Sequence, residues 1–119
     1  MQRNFRLTRS EDFKRVRRDG KSYAHPLVVL IALKSDDNDQ PRVRVGVAAG
    51  KSVGTAVYRN RAKRLLREVM RTLVPNIASG LDLILIARPA LVSATLEDTQ
   101  RALLNLLQRA KILTPKHES

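Results

Sequence analysis

Cysteine and tryptophan are both absent from this chain of 119 residues. Without cysteine there is no disulfide staple, no thiol nucleophile and no Cys-based metal site, which fits a reducing compartment. Aromatic residues are only 3% of the sequence, two Phe and two Tyr. That is too few for a module that stacks several bases across an aromatic sheet. Acidic charge is scarce too, 11 Asp+Glu against 23 Lys+Arg. No apolar run approaches the ~20 residues of a membrane span, and the opening residues lack the apolar stretch of a signal peptide. These absences leave one small soluble domain, expected in the cytoplasm. The 43% of hydrophobic residues suffice for a core, and a net charge of +12 makes a polyanion the first partner to consider.

The positive charge is unevenly placed. Residues 1–23 carry net +5, residues 24–41 net −2, residues 42–71 net +8 and residues 72–119 net +1. A tail-type binder would put its charge at a low-complexity end. Here the densest charge is interior, in a segment with helical periodicity, so the fold can present it as an ordered surface.

Local signals divide the chain. Thr8-Arg9-Ser10-Glu11 has the form of a capping box. It predicts a short helix that buries Phe13 and Val16 and stops at Gly20. A short strand is expected at 22–24 and a buried strand at 27–33, followed by a polar loop holding Asp36, Asp37 and Asp39. Arg42-Val43-Arg44-Val45-Gly46-Val47 alternates with period two and predicts a strand with one solvated face. After a turn at 50–54 the period becomes helical over 56–74. Another apolar strand is expected at 81–87. Thr95 then caps a last helix over 96–111, with Leu96, Leu103, Leu106, Leu107 and Ala110 inward. Strands and helices mix without strict alternation, so the class is α+β, one sheet with helices packed on it. A single domain is expected over 1–113, with a frayed, disordered tail at 114–119.

The 56–74 helix carries the functional signal. At about 100° per residue, Ala62, Leu65, Leu66, Val69, Met70 and Leu73 share one stripe. Arg64, Arg67 and Arg71 centre on the opposite side, flanked by Arg61 and Lys63, with Arg59 and Asn60 at the helix start. Like charges three and four apart repel by a few tenths of a kcal/mol each, and Glu68 alone relieves this locally. A phosphate backbone would remove the repulsion and release counterions. Five of the six cations are Arg, which suits bidentate phosphate contact. A helix start also offers free N–H groups to phosphate. With few aromatics, and with neither zinc spacing nor a heptad-bearing basic region, structured RNA read by shape and phosphate fits best.

Rival signals are weaker. Gly46-Val47-Ala48-Ala49-Gly50-Lys51-Ser52 resembles a phosphate-binding loop but has three residues between its glycines where the motif needs four. It reads as a tight turn with Lys51 as an added phosphate contact. Asp36, Asp37 and Asp39 lack the Gly and Glu of a calcium loop and read as a solvated turn, not a metal site. His25 and His117 are far apart in sequence, so no acid–base pair emerges and no catalytic residue is assigned. Any chemistry this chain serves would belong to its partner.

Val57-Tyr58-Arg59-Asn60-Arg61-Ala62-Lys63-Arg64-Leu65-Leu66-Arg67-Glu68, preceded by Gly54-Thr55-Ala56, resembles the Arg-Asn-Arg helix of the protein subunit of bacterial ribonuclease P. Arg6-Leu7, Asp12-Phe13, Gly20, the 43–47 strand with Gly46 and the 83–88 strand ending in Ala-Arg agree in order, so the likeness covers nearly the whole chain. The resemblance implies a two-layer α/β sandwich of order α-β-β-β-α-β-α with a left-handed β-α-β crossover, against the usual preference. It implies a catalytic RNA that, with Mg²⁺ bound mainly by that RNA, removes the 5′ leader of precursor tRNA. Both RNAs would be partners, with no membrane and no small-molecule substrate. Carried onto this sequence, Lys51, Arg59, Asn60, Arg61, Lys63, Arg64, Arg67 and Arg71 would contact the catalytic RNA.

Phe13, Arg17 and Ile31 would face the leader, in a groove between the first helix and the sheet. There are departures: Arg17 stands where the family often has a second aromatic, Ile31 where it has a sheet aromatic, and Lys51-Ser52 where it has a basic pair. These favour phosphate contact through Arg17 over base stacking, and Phe13 also has a plain core reading. The rival functions are a ribosomal or RNA-chaperone-type binding module without a role in cleavage, and a protein-only nuclease or NTPase.

Overall fold

The computed structural model describes residues 6–35 and 42–114. Three helices and four strands follow in the order α1 (Ser10–Asp19), β1 (Lys21–Ala24), β2 (Val28–Lys34), β3 (Arg44–Ala49), α2 (Ala56–Leu73), β4 (Leu81–Ala87) and α3 (Leu96–Arg109). The expected α+β class and element order are present. The sheet order is β1-β2-β4-β3. β2 is antiparallel to β1 and β4, whereas β3 and β4 are parallel neighbours joined through α2. β2 and β4 are the central strands and the most apolar in sequence, as burial on both faces requires.

One face of the sheet holds the main core. Leu30, Leu83 and Leu85 meet Leu66, Val69 and Met70 of α2 and Leu103, Leu106 and Leu107 of α3. Fully burying a Leu or Met gains about 1.5–3 kcal/mol. Each like-charge pair on the outer side of α2 costs a few tenths, so packing wins and the helix stays docked. The other face carries a second cluster of Leu7, Val16, Ile31 and Ile84, with Phe13, Val29, Leu33 and Ile86 against it. Here α1 lies across the sheet.

Several expectations are corrected. α1 begins at Ser10 with Arg9 in the cap position and no side-chain cap, not at a Thr8 capping box. The Leu7 N–H bonds the Val45 carbonyl at 2.9 Å and Leu7 is buried. That long-range tie holds the chain to the β3 edge and overrides the local box. β3 is shifted two residues toward the C-terminus, because pairing with β4 fixes it from Arg44↔Asp82 to Ala49↔Ala87. Its Arg44/Gly46 face is not solvated. Gly46 is buried, and a Cβ there would lie 2.5 Å from Phe13 Cζ, so the missing side chain is what lets α1 approach. Leu96, expected inward, is 52% exposed. Thr99 is the first buried residue of α3, its hydroxyl donating to the Thr95 carbonyl at 2.8 Å. Thr95 does cap the helix, in a reciprocal box with Asp98. Thr114, assigned to the tail, donates to the Asn76 carbonyl through its N–H at 2.8 Å and its hydroxyl at 3.0 Å. Residues 115–119 lie outside the described residues, as do Asp36, Asp37, Asp39 and His117.

Candidate nucleic-acid interface

The cationic ridge follows from the helical period. Ala62, Leu66, Val69, Met70 and Leu73 are the buried residues of α2, so the side chains near the opposite azimuth point outward. Asn60, Arg61, Arg64 and Arg71 are exposed, while Arg59, Lys63 and Arg67 are half-buried. The first turn of α2 holds no acidic residue and Thr55 makes no side-chain cap bond. A 3₁₀ turn at Lys51–Val53 leads into the helix and leaves Lys51 exposed.

The cations are not equally available. Arg61 Nη1 donates to the Val92 carbonyl at 2.9 Å, tying the start of α2 to the turn after β4. Arg71 pairs with Glu68 at 2.6 Å, one helical turn back. Arg59 Nε is buried with no hydrogen-bond partner. Burial pulls the Arg67 guanidinium below its usual range, and the nearby positive charge of Arg6 adds to the effect. An exposed Arg6 beside a half-buried Arg67 makes a place that favours an anion.

Arg6 and Arg67 line a cleft of about 200 Å³, and Phe13 and Gly46 line it with them. The cleft joins two regions that are remote in sequence. The ridge of α2 reaches it through Arg67, and the α1 face of the sheet reaches it through Phe13. Sequence reading placed Arg67 and Phe13 in separate sites; the fold brings them to one. Arg6 was missed as a site residue, although a lone basic residue just before a buried leucine gave little to find it by.

On the α1 face the expected leader residues divide. Phe13 is half-buried against Leu7, Val16, Ile31 and Ile84. Arg17, one turn on, is exposed. Ile31 is buried at 5% exposure within that cluster, so it underlies the face instead of lying open on it. Val29 and Ile86 are paired neighbours on the same face and only partly buried. The period-two alternation of the strands, which gives Val29, Ile31 and Leu33 one side, was the signal that could have found them. His25 Nδ1 accepts the Leu27 N–H at 3.1 Å, a local turn contact.

Comparisons with known proteins bear on the family and the fold. The family model Ribonuclease P matches residues 1–111. The ribonuclease P protein component of Herpetosiphon aurantiacus is 44% identical over 112 residues, covering 94% of this chain and 89% of the relative. That of Brevibacillus brevis is 40% identical over 113 residues, covering 95% and 88%. The solved RNase P protein of Staphylococcus aureus superposes with a TM-score of 0.80 at 29% identity, over 92% of this chain and 98% of that one. The RNase P protein of Thermotoga maritima gives 0.76 at 30% identity, over 87% and 96%.

Proposed function

The chain belongs to the ribonuclease P protein family, and from that premise we propose that it binds the catalytic RNA of a ribonucleoprotein endoribonuclease together with the 5′ leader of precursor tRNA. The observation that carries this reading is the cleft at Arg6, Phe13, Gly46 and Arg67. It gives a continuous path from the arginine ridge to the α1 face. Arg59, Arg61, Arg64 and Arg67 neutralise phosphates of the folded RNA, Lys63 and Lys51 extend that field, and Asn60 adds an oriented polar contact. Arg71 contributes once RNA competes with Glu68. Phe13 and Arg17 receive the leader, with Val29 and Ile86 as apolar floor and Ile31 supporting them from beneath.

Cleavage itself is the work of the RNA in this reading. Among the described residues no group of three or more His, Asp or Glu is disposed to hold a metal ion. Three carboxylates near the ridge and the α1 face are engaged by arginines: Asp12 and Asp82 by Arg15 and Arg44, and Glu68 by Arg71. Among the described residues the donor set does not make a Mg²⁺ centre. The protein's part is to lower phosphate repulsion where RNA and substrate meet, which reduces the Mg²⁺ concentration the assembly needs.

The test is reconstitution. Catalytic RNA at low Mg²⁺ should cleave precursor tRNA slowly, and adding the chain should restore cleavage. The complex should also hold leader-bearing tRNA more tightly than mature tRNA. No effect on either measurement overturns the proposal. RNA binding without leader preference would assign the chain to the ribosomal or chaperone-type class.

A further inference from the structure

Tyr58 and Val57 open α2 and are two of the three large apolar residues most exposed to solvent among the described residues, at 48% and 74%. Both are misplaced by the logic of a solvated ridge. Val57 lies seven residues before Arg64, so it shares the azimuth of the cationic row. Tyr58 continues the azimuth of Leu65 but, unlike Leu65, is not among the residues packed on the core. Its ring rests instead on Gly54. A Cβ on that glycine would lie 3.1 Å from Tyr58 Cδ2 and 3.5 Å from Cγ, and Gly54 has φ +136°. The positive φ favours glycine here, and a side chain would also crowd the ring. The turn lies against one side of the ring, and about half of the residue is open to solvent.

We propose that Tyr58, seated on Gly54 and edged by Val57, is a stacking platform for one unpaired base of the structured RNA. This rests on the reading above and adds a base contact to a surface otherwise built for phosphates. The setting argues for nucleic acid as occupant. Lys51 lies just before the platform, Arg59 and Arg61 just after it, and residues 42–71 carry net +8. A protein partner would need an interface of about 1,000 Å², which two side chains cannot supply. A single base needs only a flat π-surface and nearby positive charge.

The experiment measures affinity of the full chain for its catalytic RNA as a function of salt, with folding checked by circular dichroism. Tyr58→Phe should bind within about twofold of the parent. Tyr58→Leu keeps an apolar contact on Gly54 but has no π-face, and should lose about 5- to 100-fold, as should Tyr58→Ala. The slope of log affinity against log salt should not change, because no phosphate contact is removed. The chain has no Trp, so Tyr58→Trp installs a single indole whose fluorescence RNA should quench. Parent-like affinity in Tyr58→Leu overturns the platform and leaves the proposed function standing. A concentration-dependent dimer abolished by Tyr58→Ala, with RNA affinity intact, assigns the patch to a second copy and also overturns it. A parent chain that does not bind the RNA overturns both readings.

Discussion

Arg15 on α1 donates to Asp82 on β4 at 2.6 Å, across 67 positions of sequence. Asp82 is fully buried. It also accepts from Arg44 Nε and Nη2, each at 2.9 Å. Asp12 closes the group, 3.2 Å from Arg15 and 3.7 Å from Arg44. The hydrogen bond with Asp82 holds the Arg44 guanidinium above its usual range against the pull of burial. Helix α1 is thus docked by one charged lock and one small apolar cluster, whereas α2 and α3 share the large core. The helix that carries Phe13 and Arg17 is held by this lock and by the smaller of the two clusters.

Asp82→Asn tests the lock. Removing one member of a buried ion pair costs about 3–5 kcal/mol. The low end is expected here, because Arg44 reaches solvent and Asp12 remains as a partner. Urea denaturation should show a loss of about 3 kcal/mol. Amide exchange should accelerate in α1 before α2 or α3. Preference for leader-bearing tRNA should fall further than affinity for the catalytic RNA. Uniform loss of both would show that α1 and the ridge are not separable.

Gly46→Ala tests the approach of α1 to β3. The new methyl would meet Phe13 Cζ at 2.5 Å and the Leu7 carbonyl at 3.0 Å. Phe13 can swing, but Leu7 is tied to Val45, so the strain falls on the aromatic. Overpacking of this kind costs about 1–3 kcal/mol. The expected result is a lowered melting temperature and weakened leader preference, with ridge affinity for RNA unchanged. Equal leader preference in the variant and the parent would remove Phe13 from the leader path.

What could be read from sequence was whatever is written locally. α2 was legible because Leu66, Val69, Met70 and Leu73 repeat at the helical period against an arginine face. The start of α3 was legible because Thr95 precedes its apolar stripe. The start of α1 was not, since the Leu7–Val45 hydrogen bond joins residues 38 apart and outcompetes the nearby Thr8 box. The second face of the sheet was misread for the same reason. Arg44 alternates with valines as a solvated residue would, and nothing near it in sequence announces Asp82. Gly46 was the one local hint that another element lies close. The cleft shared by Arg67 and Phe13 exists only once β3 has brought the two helices together.

The capping box of α3 makes a pH prediction. The hydrogen bond from the Thr95 N–H, followed by the one with its side chain, holds the Asp98 carboxyl below the usual carboxylate range. A depressed folded value means the charged form is favoured in the native state. Its contribution is fully present above the unfolded carboxylate range and is lost as pH falls through the lower folded value. Melting temperatures of the parent and Asp98→Asn should therefore differ near neutral pH and converge in acid. A gap that stays constant as the pH is lowered through the carboxylate range would rule out the carboxylate as its source.

The last prediction weighs the arginines against one another. Each neutralised phosphate contributes about −0.9 to the slope of log affinity against log salt on a B-form duplex, and about −0.7 on single strands. About six contacts give a slope between about −4 and −5. Arg64→Gln should flatten this by nearly one unit and weaken binding across RNA sequences without altering preference. Arg71→Gln should flatten it less, because Arg71 is already paired with Glu68 at 2.6 Å and RNA must displace that partner. Glu68→Gln should do the reverse, raising affinity and steepening the slope, since it frees Arg71 at the cost of a surface pair worth at most about 1 kcal/mol. Equal slopes for the parent, Arg64→Gln and Glu68→Gln would mean that the ridge does not meet the phosphate backbone, and the RNA would have to be held elsewhere on the molecule.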